Sequence, residues 1–130
     1  MIHEFEPSNP LEIALQKTMI GKASMDTFLK VFVQSELYLP STTKLDKDLS
    51  NFSPIVFDKD GTPMAAVFTN VKLMDLYKTY SKGNLAINGA VLLTKSAAGF
   101  GIVINPGYTL GLELGEHGIK NIVDNIINKL

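Results

Sequence analysis

The chain has 130 residues, of which 45% are hydrophobic and 19% are charged, and its formal net charge is −1. This composition predicts a single globular domain over residues 1–130 and excludes a wholly disordered chain. The sequence has no cysteine and no arginine, which excludes disulfides, thiolate metal sites, cysteine nucleophiles and guanidinium clamps on phosphate. Near-neutral charge argues against a nucleic-acid partner, and no apolar run is long enough for a membrane span. We therefore expect a cytoplasmic protein.

The N-terminal region predicts two helices after a short acidic segment. Residues 1–8 contain no apolar run, which excludes a signal peptide and predicts a loose tail. Residues 9–12 read Asn-Pro-Leu-Glu, which combines an N-cap, a proline at the first helical position and a glutamate in capping-box position. Gly21 is expected to end this first helix. A second, shorter helix is predicted from Ser24 because apolar residues follow it at helical spacing.

The middle of the chain predicts a strand, a loop and a hairpin. Residues 36–39 are typical of a strand, which Pro40 is expected to stop. The polar, aperiodic stretch 40–54 predicts a long surface loop, where mobility or partner contact is more common than packing. Two apolar runs flank the Asp-Lys-Asp-Gly sequence at 58–61, and this is a strong hairpin signal.

Two further helices are expected in the second half of the chain. Thr69 or Asn70 can cap a third helix, with apolar and aromatic residues on one face, that ends before Gly83. A short strand over residues 85–87 leads to Asn88, which can cap a fourth short helix.

The C-terminal region predicts two strands and the clearest helix. Residues 99–104 form an apolar strand, residues 105–107 (Asn-Pro-Gly) turn the chain, and residues 108–113 return as another strand. The last helix carries isoleucine and valine at helical spacing from Ile119 to Leu130, and its opposite face is polar. Interleaved helices and strands, about five of each, predict an α/β or α+β single domain with a mixed sheet.

No catalytic residue, metal site or cofactor is predicted. The acidic turn at 58–61 lacks the glycine and glutamate spacing of a calcium loop. The glycines at 99 and 101 precede a strand, whereas a phosphate loop requires them between a strand and a helix. Glu116 and His117 are adjacent on a helix and do not face each other, so His117 can act as a base only if another segment supplies a nucleophile.

The four tyrosines raise the question of a binding surface. Tyrosine is favoured at interfaces because it combines contact area with a polar tip. Tyr38, Tyr77, Tyr80 and Tyr108 are therefore either partner-contact residues or half-buried residues at the edge of the core. The apolar content also allows self-association.

Three patterns, taken in order, resemble the SseB N-terminal domain family. They are Asn9-Pro10-Leu11-Glu12 with Ala14-Leu15, then Ala66-Val67-Phe68-Thr69-Asn70, and finally Gly101-Ile102-Val103-Ile104-Asn105-Pro106-Gly107. The resemblance extends from about residue 9 to residue 130. It implies a bacterial, cytoplasmic domain of mixed α/β architecture with no established catalytic residues.

The residues of these motifs have structural explanations as helix caps, core or turn residues: Asn9, Leu11, Glu12, Phe68, Pro106 and Gly107. A second interpretation is that Thr69, Asn70 and Asn105 line one crevice, because each follows a strand and ligands bind at the carboxyl ends of strands in open sheets.

Three functional hypotheses follow. The leading one is a non-enzymatic binding or regulatory module that acts through protein contact, with Tyr38, Tyr77 and Tyr108 among the candidate contact residues. The first alternative is a small-molecule-binding or hydrolytic domain that uses the crevice near Thr69 and Asn105. The second alternative is an immunity or antitoxin-like partner protein. Each predicts a protein or small-molecule partner, and none requires nucleic acid or a membrane.

Overall fold

The computed structural model describes residues 2–96 and 100–129. The elements, in chain order, are α1 Pro10–Met19, α2 Met25–Phe32, β1 Glu36–Ser41, β2 Val56–Lys59, β3 Thr62–Val67, a 3₁₀ helix Val71–Tyr77, β4 Gly83–Asn88, α3 Gly89–Ser96, β5 Gly101–Ile104, β6 Leu112–Leu114, α4 Glu116–Asn125 and a final 3₁₀ turn Ile127–Lys129. The predicted strand start at Gly99 and the end of the helical stripe at Leu130 lie outside the described residues. No described helix is long and apolar enough to cross a membrane. The predicted mixed α+β class is confirmed.

The six strands of the described residues form two sheets. β2, β3, β5 and β6 form the larger sheet in that order, and it is mixed because β3 and β5 run parallel while the outer pairs are antiparallel. β1 and β4 form a separate antiparallel ribbon. The ribbon joins the larger sheet where Tyr38 and Phe68 exchange two backbone hydrogen bonds of 2.9 and 2.8 Å. The mixed sheet was predicted with about five strands, and the structure has four in that sheet and two in the ribbon.

The prediction that Pro40 stops the first strand is wrong. β1 continues to Ser41, and Pro40 lies opposite Asn84 in the ribbon. The N–H of Tyr38 points away from β4, because it donates to Phe68. Pro40 is two residues after Tyr38, so its backbone nitrogen also points away from β4. The N–H that proline lacks is therefore not needed for pairing with β4.

Two other predicted elements differ from the structure. The third helix forms as a 3₁₀ helix that ends at Tyr77, and Asn70 rather than Thr69 caps it by accepting a 3.0 Å hydrogen bond from Lys72 N–H. The predicted strand over residues 108–113 is reduced to Leu112–Leu114. Tyr108 instead forms a bridge with His3, so this part of the chain pairs with the N-terminal segment before β6 begins.

The predicted helix boundaries are confirmed for the helices that begin at a capping side chain. Asn9 Oδ1 accepts from Glu12 N–H at 2.8 Å, and Ser24 Oγ accepts from Thr27 N–H at 3.2 Å. Asn88 Oδ1 accepts from Ala90 N–H at the start of α3. The first helix ends at Met19, and Gly21, two residues later, has a φ of 78° that favours glycine over a residue with a Cβ.

The larger sheet has a hydrophobic core on each face. The main core packs one face against the helices and the β1–β4 ribbon, and its fully buried residues include Leu15, Phe28, Phe32, Leu37, Leu93, Ile102 and Ile119. The smaller core lies on the other face beneath the 3₁₀ helix and consists of Ala66, Phe68, Leu73 and Met74. The 3₁₀ helix covers only part of this second face.

Residues 1–8 were predicted to form a loose tail, but part of this segment is held against the domain. His3 N–H donates to Gly107 O, and Thr109 N–H donates to His3 O, both at 2.8 Å. Phe5 packs against both hydrophobic cores and meets Tyr108 edge-on, with ring centroids 5.5 Å apart. The apolar side chain of Phe5 and the backbone of His3 supply contacts that the acidic composition did not indicate.

Candidate functional site

Thr69 and Asn105 meet at the carboxyl ends of the two parallel strands. Asn105 Oδ1 accepts from Thr69 N–H, and Asn105 Nδ2 donates to Thr69 Oγ1 and to Leu110 O, each at 3.0 Å. Asn105 has a φ of 54°, a left-handed conformation that asparagine tolerates better than most residues. This conformation turns the chain after β5 and allows the side chain to bridge two segments.

Helix α1 supplies a carboxylate to the same place. Thr69 Oγ1 donates to Glu12 Oε2 at 2.7 Å, and Glu12 Oε1 accepts from the backbone and hydroxyl of Ser8 at 2.9 and 3.1 Å. Asn9 Nδ2 also donates to Thr69 O at 3.0 Å. We call the group Ser8, Glu12, Thr69 and Asn105 the polar junction.

Three of the four residues of the polar junction are buried, and Ser8 lies at its exposed margin. Glu12 and Asn105 are each 1% exposed and Thr69 is 2% exposed. No buried side-chain nitrogen or oxygen among the described residues lacks a hydrogen-bond partner. The polar atoms that were predicted to face a crevice thus contact one another, and they join the start of α1 to the ends of β3 and β5. Because these atoms bond one another, ligand contact at Thr69 and Asn105 stays a prediction.

The polar junction is expected to stabilise the fold. Thr69→Val removes the hydroxyl and leaves Glu12 Oε2 without its partner, so the free energy of unfolding is expected to fall by about 1–3 kcal/mol. Thr94→Val is the matched control because Thr94 is exposed and, within the part of the chain that the structure describes, its hydroxyl donates only to the carbonyl of Ala90. Urea denaturation followed by circular dichroism measures both. Equal effects at the two threonines would contradict a buried network at Thr69.

A small cleft lies beside the polar junction. It has a volume of about 230 Å³ and is lined by Asn9, Pro10, Leu11, Ser35, Glu36, Tyr38 and Thr69. Asn70 and Asn105 do not line it. Asn70 is half-buried and serves as the cap of the 3₁₀ helix. The structure therefore brings Thr69 and Asn105 together, whereas Asn70 lies at the margin of the junction, where its Nδ2 donates to Ser8 Oγ at 3.5 Å, and does not line this cleft.

Three of the four tyrosines are half-buried around the smaller core. Tyr77 Oη donates to Pro106 O at 3.0 Å, and Tyr108 Oη donates to Leu73 O at 2.8 Å. Burial raises the pKa of both hydroxyls, and for Tyr108 the nearby Asp75 adds to the effect. Tyr38 packs against the same core, whereas Tyr80 is exposed. The hydroxyls of Tyr77 and Tyr108 thus hold the 3₁₀ helix against the turn at 105–108.

His117 lies at the opposite end of the larger sheet from the polar junction. It is exposed at the start of α4, beside the β2–β3 turn, in a depression of about 400 Å³ that includes Lys59 and Glu113. Thr69 and Asn105 follow the other ends of their strands, so no single site contains them together with His117. Among the described residues, no group of three His, Asp or Glu side chains could hold a metal ion.

The part of the second sheet face that the 3₁₀ helix leaves uncovered forms a groove. It has a volume of about 420 Å³ and is lined by Phe57, Asp58, Lys59, Met64, Tyr77, Val103, Pro106, Gly107 and Glu113. Phe57 meets the ring of Tyr77 edge-on, with centroids 6.0 Å apart. An ion pair between Lys59 and Glu113 crosses the sheet at one end of this groove. We call it the sheet groove.

The sheet groove was not predicted from the sequence. The hairpin itself was predicted, and alternation along it places Phe57 and Lys59 on one face. What alternation cannot show is that β6 brings Glu113 to the same face or that the 3₁₀ helix stops short of covering it. Both depend on contacts between distant parts of the chain.

The fold and the polar junction define a single-domain α+β protein with a four-stranded mixed sheet closed at one end by α1. The chain belongs to the SseB protein N-terminal domain family, whose model matches residues 11–121. This match confirms the family predicted from the three motifs. No curated protein and no solved structure matches the chain.

Proposed function

We propose that this protein is a non-enzymatic binding module that holds an extended segment of a protein partner along β2 and the sheet groove. The observation that carries the proposal is the exposed edge of the larger sheet. All four residues of β2 are exposed, and β2 pairs with β3 on one side only among the described strands. An edge strand of this kind offers backbone donors and acceptors to another chain.

The strand register identifies which backbone groups face outward. Ala66 N–H donates to Ile55 O at 2.9 Å, and Val56 is opposite Ala65. Because inward and outward groups alternate along an antiparallel strand, the N–H and C=O groups of Val56 and Asp58 point away from β3. A partner segment can therefore form backbone hydrogen bonds with Val56 and Asp58 without displacing a strand.

The side chains beside this edge favour an apolar partner residue. Val56 and Phe57 are 44% and 38% exposed, although both are large apolar residues in a sheet. Phe57 lies on the sheet groove, where Tyr77 and Val103 supply further apolar surface. A strand added outside β2 would place one of its side chains next to Phe57, which combines backbone pairing with a pocket for specificity.

The backbone contribution can be tested at Val56. Val56→Pro removes an outward N–H and no inward one, so the β2–β3 ladder is expected to remain while partner binding falls at least tenfold. Val56→Thr is the control, because threonine keeps both the N–H and the β-branched shape. The measurement is affinity purification from lysate of the source cells, followed by titration of the recovered protein against all three forms.

Equal binding by the wild type and Val56→Pro would overturn the proposal. So would a purification in which the wild type recovers no protein that Val56→Pro fails to recover. A second copy of the chain is the other possible occupant of the edge of β2. Sedimentation velocity of the wild type detects such a dimer. A dimer that dissociates in Val56→Pro would replace the proposed partner with self-association.

A further inference from the structure

An apolar cleft lies on the main-core side of the larger sheet, between that sheet and the β1–β4 ribbon. Its volume is about 560 Å³, and it is separate from the sheet groove and the polar junction. Its lining consists of Leu39, Asp48, Leu49, Phe52, Pro54, Ala65, Leu85, Ala86, Ile87, Leu92, Lys95 and Phe100. The volume falls within the ~300–1,000 Å³ of small-molecule sites, and most of the lining residues are apolar, as in such sites.

The ribbon supplies one wall of this cleft. Leu39 is opposite Leu85, and the neighbouring inward pair contains Ile87. Leu39 is buried, but Leu85 and Ile87 are only half-buried because the cleft lies beside them. Leu49 and Phe100 are 43% and 41% exposed at the same cleft. Apolar side chains from four separate segments thus converge on a space that they do not fill.

The loop between β1 and β2 supplies another wall, and its own hydrogen bonds hold it in shape. Thr43 Oγ1 donates to Asn51 O at 2.5 Å, and Asp46 N–H donates to Asn51 Oδ1 at 2.8 Å. Phe52 packs against the main core. Leu49 has a φ of 61°, which is uncommon for a leucine and places strain at a residue that lines the cleft.

Two charged residues line the cleft, and their situations differ. The Asp48 carboxylate accepts from Ser50 N–H at 3.1 Å, and hydrogen bonds from the backbone and side chain of Ser50 lower its pKa. Among the described residues, neither the Asp48 carboxylate nor the Lys95 ammonium forms an ion pair. The Asp48 carboxylate already accepts a backbone N–H, so the charged head group of a ligand is assigned to Lys95.

We propose that this cleft binds a small amphipathic carboxylate, of the class of a medium-chain fatty acid, with its apolar chain against Leu85, Ile87 and Phe52 and its carboxylate at Lys95. The apolar lining supplies the binding energy through burial of the chain. At Lys95 a carboxylate is favoured over an amine, because an amine at that position would meet a like charge. This site is independent of the partner contact proposed at β2.

The test uses decanoate, decylamine and decanol as probes below their micellar concentrations, with binding measured by isothermal titration calorimetry. Decanoate is expected to bind saturably at one site, and decylamine at least tenfold more weakly. Lys95→Glu is expected to weaken decanoate at least fivefold. Lys120→Glu is the matched control, because Lys120 is an exposed lysine on α4 that does not line the cleft.

Leu49→Gly separates binding from folding. Glycine accepts the left-handed conformation without strain, so the variant is expected to fold, while the loss of the side chain weakens decanoate. No saturable heat with decanoate, decylamine binding as tightly as decanoate, or equal effects of Lys95→Glu and Lys120→Glu would overturn the proposal. Because the two sites are separate, Val56→Pro is expected to lose partner binding and to bind decanoate as tightly as the wild type does.

Discussion

Gly89→Ala is expected to lower the free energy of unfolding by about 3 kcal/mol, because the structure has no space for a side chain at this position. Gly89 begins α3, and a Cβ there would collide with the carbonyl oxygen of Phe32 and lie 2.8 Å from its carbonyl carbon. These are backbone atoms at the end of α2, which a rotamer change cannot move. Gly89 N–H also donates to Ser35 O at 2.8 Å, so separating the two segments would break a hydrogen bond.

Gly118→Ala is the matched control for this prediction. Gly118 lies within α4, and a Cβ at this position would meet no heavy atom within 4 Å. Alanine is the better helix former, so this variant is expected to raise the free energy of unfolding by about 0.5–1 kcal/mol. Urea denaturation followed by far-ultraviolet circular dichroism measures both variants. Destabilisation of both by similar amounts would show that close packing at Gly89 is not the cause.

Asn105→Ala is expected to destabilise the protein by about 4 kcal/mol, because two effects add. The first is the loss of the three side-chain hydrogen bonds to Thr69 and Leu110 inside the polar junction. The second is the φ of 54°, which costs alanine more than asparagine.

Asn105→Gly separates the two effects. Glycine loses the same hydrogen bonds but accepts the backbone conformation, so it is expected to be about 1 kcal/mol more stable than the alanine variant. Asn70→Ala is the control for loss of an asparagine from a helix cap, at about 1 kcal/mol. Thermal and urea unfolding rank the three variants. An Asn105→Ala protein as stable as Asn70→Ala would contradict the assignment of Asn105 as the centre of the junction.

The parts of the fold that were predicted correctly depend on local sequence. Asn9, Ser24 and Asn88 cap helices through bonds to residues two or three positions away, and the Asp60–Gly61 turn requires only the positive φ that both residues have. Signals of this kind are complete within a few residues, so sequence alone is sufficient to interpret them.

The parts that were missed depend on distant residues. Glu12 was recognised as a capping residue, but its burial requires Thr69, which is 57 positions away. Likewise, Tyr108 was predicted to lie in a strand with the residues that follow it. It pairs instead with His3, and nothing near Tyr108 in the sequence indicates that pairing. Thr69 and Asn105 do meet after neighbouring strands, but the sequence could not show that α1 closes those strand ends. The sheet groove and the apolar cleft arise from what tertiary packing leaves uncovered, and no local pattern encodes that.

The parallel pairing of β3 with β5 also affects the order in which the chain folds. The β2–β3 hairpin closes over a two-residue turn. Pairing of Met64 with Gly101 instead closes a much longer loop, which contains the 3₁₀ helix, β4 and α3. Closing a long loop costs conformational entropy before its contacts form. The hairpin can therefore act as an early template, on which β5 docks late and the polar junction completes the native structure.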